Sequence, residues 1–325
     1  GDISYLYWKK TSKGKAIGFD TDLLEVMKMT QRRQFHVEPV DSKDKTSAWL
    51  TGRPLAIKAI RKVLGKSDYQ AHEGVNSGGA NAVFWVEILK RQASGLVEIS
   101  NITEGQKREV PSETMTIEPD LLYPLIRGRD VKRWKAEPAA WIIMAQDPIK
   151  RRGIDQKEIQ LHYPKTYTYL KRFENVLRSR AAYKRYFKED APFYSMFDVG
   201  NYTFAPHKVV WTRMAKIDAA VIESLYDKPI IPQETVTLVE CNTAQEAHYI
   251  ASLVNSGVFQ YAALSYSQAG GKSLGSMHVL GYIRIPKFNM KDKVHQHLSQ
   301  LSEKTHELAR RGAKSEFTLI EQEID

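Results

Sequence analysis

Apolar residues recur at helical spacing in several parts of the chain. Residues 20–33 (DTDLLEVMKMTQRR) begin with acidic and end with basic side chains, which suits the dipole of a helix. An apolar stripe from Leu55 to Leu64 predicts a second helix, with Gly65 as its stop signal. A capping box at Thr243–Glu246 opens a third helix over 244–264, and a stripe from Val294 to Leu308 predicts a C-terminal helix.

Short β-rich apolar runs lie between these helices. They are residues 82–89 (AVFWVEIL), 139–145 (AAWIIMA), 202–211 (YTFAPHKVVW), 235–240 (TVTLVE) and 281–286 (GYIRIP). Residues 95–110 also predict a hairpin that turns at Glu104 and Gly105. Because strands and helices alternate irregularly, the pattern favours an α+β fold of mixed small sheets and helices, ending in a helix, over a barrel or a bundle.

Length and composition narrow the class of protein. With 325 residues and 42% hydrophobic positions, the chain can bury a sizeable core in about two domains. No apolar run approaches the roughly 18 residues of a membrane span. Cys241 is the single cysteine, so an internal disulfide and a cysteine-based zinc cluster are excluded. We therefore expect a cytoplasmic protein without a bound metal or a membrane partner.

The charge is concentrated in one part of the chain. The net charge is +10, and residues 121–190 contain 17 Lys and Arg against 8 Asp and Glu, a local excess of 17 − 8 = +9. A one-sided excess of this kind is typical of a polyanion-binding surface, whereas a merely solvated face usually mixes signs. Nucleic acid is the partner that this distribution favours.

The basic region begins with the segment LLYPLIRGRDVKRW, residues 121–134. The apolar run LLYPLI is predicted to be buried, and four cations follow it directly: Arg127, Arg129, Lys132 and Arg133. Arginine is well suited to bidentate contact with guanine or phosphate. A turn at Gly128 would let one arginine reach a base and the other a phosphate. The alternative is a structural turn in which Asp130 pairs with a neighbouring arginine, and Trp134 is either core or a wedge.

Further cations follow in the same region. Residues 163–188 predict an amphipathic helix in which seven cations between Lys171 and Lys188 face a single acidic partner, Glu174. We expect part of this face to contact phosphate. The candidate contacts from the region are Arg151, Arg152, Arg172, Arg178 and Lys184.

Two enzyme motifs compete with this binding function. Asp120, Asp130 and Lys132 fit the pattern P-D…(D/E)-x-K of metal-dependent nucleases, but Arg127-Gly-Arg129 is unsuited to the buried strand that the pattern requires. Residues 266–273 end in Gly-Lys-Ser, yet Tyr266 replaces the first glycine of a P-loop and a helix precedes it. The nuclease stays as an alternative. The P-loop is rejected, although Lys272 and Ser273 are still candidates for contact with a DNA phosphate.

Several stretches together resemble the C-terminal target-recognition region of N6-adenine DNA methyltransferases of restriction–modification and phage-defence systems. They are residues 47–52, 74–89, 120–134, 164–180, 202–211, 246–256 and 285–288, in the order of the family. The stretch L-x-P-x-x-R-G-R-D, from Leu122 to Asp130, is the most specific of them. The resemblance covers most of residues 40–310.

The resemblance implies a specificity domain that positions duplex DNA and reads its bases. In such enzymes, a methyl group passes from S-adenosylmethionine to adenine N6 in a catalytic core with an Asn/Asp-Pro-Pro-Tyr/Phe tetrapeptide. No Pro-Pro pair occurs in this chain, and the sequence Ala-Pro-Phe-Tyr at 191–194 lacks the polar acceptor. We therefore expect a chain without catalysis or cofactor of its own, with double-stranded DNA, an upstream methylase core and a nuclease domain or subunit as its partners.

The resemblance also implies boundaries. Residues 1–45 are expected to be the tail of an upstream methylase-type domain or a linker, 46–290 a target-recognition domain, and 291–325 a C-terminal helical segment. The competing functions are the metal-dependent nuclease and a general RNA-binding module.

Overall fold

The predicted α+β class is confirmed. The structure, a computed structural model, describes residues 3–11, 16–39, 43, 49–187, 190–213, 217–266 and 274–325. Three sheets of three, six and four strands, together with two short two-stranded ladders, are combined with helices, and the described chain ends in a helix. The predicted boundaries at residues 45 and 290 stay predictions.

The N-terminal sheet is small and open. Its strands are β1 (Ile3–Lys10), β2 (Thr30–Pro39) and β3 (Trp49–Gly52), all antiparallel, with β2 in the middle. Helix α1 (Leu23–Met29) precedes β2, and α2 (Pro54–Val63) follows β3. The predicted helix over 20–33 therefore ends at Met29, because the following residues form β2, in which residues 30–37 pair with β1. Leu50 of β3 is fully buried, whereas every residue of β1 is exposed.

The central sheet has the strand order β16-β8-β11-β5-β6-β7. The strands are β5 (Trp85–Arg91), β6 (Val97–Asn101), β7 (Thr114–Ile117), β8 (Leu122–Ile126), β11 (Ala140–Ile143) and β16 (Ile231–Pro232). The short helix α3 (Asn81–Phe84) leads into β5. Strands β8 and β11 are almost fully buried, as their apolar runs predict. One core cluster lies against this sheet.

Around the central sheet lie two short ladders and a group of helices. The ladders are β9 (Val131–Lys132) with β10 (Lys135–Ala136) and β12 (Gln146–Asp147) with β13 (Arg152–Gly153). The helices are α4 (Gln156–His162), α5 (Pro164–Arg172), α6 (Glu174–Arg178) and α7 (Ala181–Phe187). The single helix predicted over 163–188 is thus broken into three, because Phe173 and the Ser179–Arg180 pair separate the segments and turn Phe173, Leu177 and Tyr183 into the core.

The third sheet and the C-terminal helices form the other large core. The sheet contains β4 (His72–Glu73), β14 (His207–Thr212), β15 (Ala219–Ile222) and β17 (Val236–Cys241), in the order β15-β14-β17-β4. The helices are α8 (Ala244–Asn255), α9 (Gly257–Tyr266), α10 (Lys293–Arg311) and α11 (Lys314–Ile324). The predicted cap of α8 is confirmed, since the Thr243 hydroxyl accepts from the backbone N–H of Glu246 at 3.1 Å.

Two predicted β elements differ in the structure. Strand β6 pairs with β5 through a turn at Gly95, which has a φ of +84°. It also pairs with β7 across residues 102–113, which include Glu104 and Gly105, so the returning strand of the predicted hairpin begins at Thr114 and not within 95–110. Residues 281–286 continue from the 3₁₀ turn Met277–Gly281 as an extended segment with one isolated bridge, from Ile283 to Leu64. In both places the local pattern was compatible with a strand, but its partner was decided by packing.

Candidate nucleic-acid interface

The turn after β8 is held by a buried ion pair. Arg127 donates from Nε to Oδ2 of Asp130 at 2.8 Å, and the same oxygen accepts the backbone N–H of Arg127 at 3.0 Å. Arg127 is 7% exposed and also lies over the ring of Trp85. The expectation that Arg127 projects toward DNA is therefore corrected: the guanidinium turns inward, because Asp130 and the aromatic ring compensate the desolvation of its charge.

Gly128 lets this turn lie against β17. Its backbone N–H donates to the Thr235 hydroxyl at 3.0 Å, and a Cβ at Gly128 would stand only 2.7 Å from that oxygen. A larger residue would push the turn away from the strand end. The glycine of the Arg-Gly-Arg-Asp motif is thus explained by close packing.

Trp134 belongs to the core. Its side chain is 1% exposed, its indole N–H donates to Glu321 on α11 at 2.7 Å, and its ring meets the edge of His306. Arg133 pairs with the same Glu321 carboxylate. This arrangement excludes Trp134 as a wedge and assigns Arg133 to the joint between the β9–β10 ladder and the C-terminal helices.

Arg129 and Lys132 are the exposed cations of the segment. Neither forms an ion pair with any residue that the structure describes. They lie on either side of Asp130, which is fixed by Arg127, so the backbone that carries them is held in place. Of the four cations predicted here, these two have the exposure that contact with phosphate or a base requires.

The basic helices likewise contain both exposed and buried cations. Arg172 pairs with Glu113, and Arg178 pairs with Glu174 at 2.8 Å, so both exposed cations have acidic partners. Arg180 is fully buried and donates to the backbone oxygens of Leu177, Ser77 and Phe193 at 2.6–2.8 Å. Burial lowers the pKa of Arg180 to about 10.

Lys184 on α7 is exposed and has no ion pair within the described ranges. Arg180, one of the seven cations between Lys171 and Lys188, is instead a structural residue that joins α6 and the loop after α7 to the Gly-rich segment after β4. The cationic face is therefore smaller than the sequence indicates.

Arg151 and Arg152 lie on the β12–β13 hairpin. Arg152 pairs with Asp155 at 2.9 Å. Arg151 is exposed, has a φ of +53°, and forms no ion pair with the described part of the chain. Its charge acts on a stacked pair of rings, His72 and Tyr202, whose centroids are 3.8 Å apart.

A polar cleft of about 520 Å³ lies beside that ring pair. Its lining includes Gln70, His72, Asn201, Glu240 and Asn242. Burial lowers the pKa of His72; the Glu240 charge opposes this shift, and the Arg151 charge adds to it. The net shift of the pKa is downward, which favours the neutral ring. The cleft was not predicted from the sequence, since its residues come from four separate segments and no single segment carries a motif.

The structure opposes a nuclease at residues 120–132. Asp120 is exposed, while the carboxylate of Asp130 is occupied by Arg127 through both oxygens. Lys132 lies on the surface. No group of three or more His, Cys, Asp or Glu side chains that could hold a metal occurs among the described residues. The other candidates, Lys272 and Ser273, lie outside the described residues.

No helix in the described ranges is long and apolar enough to span a membrane. No family model matches the chain. Over 176 residues the chain is 27% identical to the type II methyltransferase M.NspV of Nostoc sp. (strain ATCC 29411 / PCC 7524), a match that covers 54% of this chain and 35% of that protein. The chain thus spans about a third of the length of this curated relative.

Two solved structures align with this chain at TM-scores below 0.5. The type IIL restriction-modification enzyme MmeI, solved in complex with DNA, has a TM-score of 0.45 at 10% identity and covers 81% of this chain and 33% of its own. The type IIG restriction endonuclease BpuSI has a TM-score of 0.37 at 16% identity and covers 77% and 28%. By sequence, this chain is similar to part of a type II methyltransferase.

Proposed function

We propose that this chain is the DNA-recognition part of a restriction–modification adenine-N6 methyltransferase, and that methyl transfer from S-adenosylmethionine takes place in a core outside these residues. The observation that carries the proposal is the 27% identity to a type II methyltransferase over 54% of the chain. The lack of a Pro-Pro tetrapeptide is the reason for assigning the chemistry to another part of the protein.

The exposed cations support a duplex partner. Arg129, Lys132, Arg151 and Lys184 are exposed and lack ion pairs with described residues, so binding to phosphate would break no existing pair. Arg172 and Arg178 are exposed, and each can turn from its partly buried carboxylate partner to a phosphate, because ion pairs at the protein surface contribute only about 0–1 kcal/mol. Sequence would then be read by groups that reach the base edges from the same surface.

The N-terminal sheet supports the upstream methylase core as a second partner. Strand β1 is an edge strand, and its exposed residues include Ile3, Leu6, Tyr7 and Trp8. A sheet edge with adjacent large apolar side chains on both faces is normally covered by protein, since it otherwise promotes aggregation. The larger size of the methyltransferase relative is consistent with a core that covers this sheet.

The test of the proposal is a selection of duplexes from a random library by the purified chain. We expect enrichment of one short sequence, with affinity for it at least about 10³-fold above that for random duplex at moderate salt. Equal or stronger binding to single-stranded RNA would favour the RNA-binding alternative. Cleavage of plasmid in the presence of Mg²⁺, abolished by Asp120→Asn, would favour the nuclease. Binding without any enrichment would contradict a recognition function.

A further inference from the structure

The β12–β13 hairpin displays an apolar side chain at its tip. Pro148, Ile149, Lys150 and Arg151 connect the two strands, and Ile149 is 83% exposed. Lys150 and Arg151 follow Ile149, and both are exposed. An isolated exposed isoleucine is common on protein surfaces, so its exposure alone would carry no function.

The tip is held rigidly rather than left free. Oδ1 of Asp147 accepts the backbone N–H groups of both Ile149 and Lys150 at 2.9 Å. Arg151 has a φ of +53°, a left-handed conformation that is unfavourable for a residue with a side chain. Such backbone strain tends to occur at functional sites, and here it fixes the direction of the residues at the tip.

The base of the hairpin is joined to the core. Gln146 donates to the Tyr194 carbonyl at 2.9 Å and accepts from the Met196 N–H at the same distance. Gly153 donates to the Ser195 hydroxyl at 2.8 Å, and a Cβ at Gly153 would stand 2.8 Å from the Tyr194 ring. The base of the hairpin is therefore fixed to the core, so the residues at its tip hold one position relative to the rest of the protein. A hairpin that enters a DNA groove needs this rigidity.

We propose that this hairpin enters the major groove of duplex DNA and that Ile149 contacts the C5-methyl group of a thymine. A two-stranded β-ribbon fits the major groove, and only that groove presents the thymine methyl to an apolar side chain. Arg151 reaches a flanking phosphate, because it is exposed and is not ion-paired with a described residue. The assignment rests on the proposed recognition of DNA and adds a specificity-determining residue to it.

The experiment uses the duplex that the full chain selects from a random library. Each thymine of that duplex is replaced in turn by deoxyuridine, which removes the methyl group and keeps the base pair. We expect one replacement to weaken wild-type binding about threefold to tenfold, as expected when one methyl group is no longer buried. Ile149→Ala should weaken binding to the thymine duplex by a similar factor and should be insensitive to that same replacement.

Leu161→Ala is the matched control, since Leu161 is 74% exposed on the neighbouring helix α4. It should bind like the wild type and retain sensitivity to deoxyuridine. If every replacement affects wild type and Ile149→Ala equally, or if the selected duplex has no sensitive thymine, the inference is overturned while DNA recognition stands. If the wild type selects no duplex, both the inference and the proposed function fail.

Discussion

Arg127 and Asp130 form a buried pair in which two nitrogens of the guanidinium meet two oxygens of the carboxylate, at 2.8 and 3.3 Å. Both side chains are 9% exposed. The residues of the Arg-Gly-Arg-Asp motif therefore have two different roles. Arg127 and Asp130 determine the shape of the turn, and this turn carries the exposed Arg129. The first role can be tested by measuring protein stability and the second by measuring DNA binding.

Replacement of Arg127 should affect stability first. Arg127→Lys keeps the charge and loses the fork, and we expect the free energy of unfolding to fall by about 1–3 kcal/mol. Arg127→Ala leaves the buried Asp130 carboxylate without its cationic partner and should cost about 3–5 kcal/mol. Urea unfolding measures both, with the exposed Arg129→Lys as a control that should unfold like the wild type. An unchanged midpoint for Arg127→Ala would contradict the structural role.

Neutralising the exposed cations of the same segment should affect DNA binding and not stability. We expect Arg129→Gln and Lys132→Gln each to reduce the slope of log affinity against log salt by about 0.9, if the residue contacts a phosphate. Arg129→Lys tests base readout, since it should narrow the gap between selected and random duplexes by about 1–3 kcal/mol. If none of these variants changes either the slope or the gap, the segment is a solvated turn.

The basic helices give a third test. Combined neutralisation of Arg172, Arg178 and Lys184 should weaken binding to all duplexes alike and lower the salt slope by about 1 for each phosphate that the variant no longer neutralises. Lys304→Gln, on the exposed side of α10, removes a charge outside the candidate interface and should leave the slope unchanged. A triple variant with the slope of the wild type would show that the helices do not face DNA.

Two buried histidines should make the fold sensitive to acid. Burial, together with the Arg310 charge, lowers the pKa of His248 to about 4. Burial, with His248 and Arg310 as additional causes, lowers the pKa of His306 to about 3. His306 accepts the backbone N–H of Val221 at 2.9 Å, which requires an unprotonated nitrogen. In the unfolded chain both rings take up protons near pH 6.5, so stability is present above that pH and is lost as the pH falls toward 4.

The decrease in the free energy of unfolding should approach about 2–3 kcal/mol per pH unit where both sites contribute. Urea unfolding from pH 7.5 to pH 5 measures it. His248→Gln should reduce the pH slope by about the contribution of one proton. His278→Gln, which changes an exposed ring, provides the control and should leave the slope as it is. Equal slopes in wild type and His248→Gln would contradict the assignment.

The chain alone should not bind S-adenosylmethionine. The reason is that the motifs of the methylase core are missing from its sequence, so the cofactor pocket would lie in another part of the protein. Calorimetric titration should give only the heat of dilution. Binding with a micromolar dissociation constant would contradict the proposal that the cofactor binds in a separate core.

The sequence by itself determined the elements whose signals are local. The buried strand at 139–145, the capped start of α8 and the C-terminal helix were predicted correctly, because apolar periodicity and caps act within a few residues. It also located the basic region at 121–190, since net charge is a property of composition. The α+β class followed from the irregular order of these elements.

Only the tertiary structure decided which cations are exposed. Arg127 and Arg129 are two residues apart and identical in chemistry, yet one is buried because Asp130 and the ring of Trp85 surround it. Arg180 is buried because the backbone oxygens of Ser77 and Phe193 converge on it together with that of the nearby Leu177. The His72 cleft and the support of the Ile149 hairpin likewise depend on contacts between remote parts of the chain. Burial of a charge depends on partners brought together by folding, and a local pattern contains no information about them.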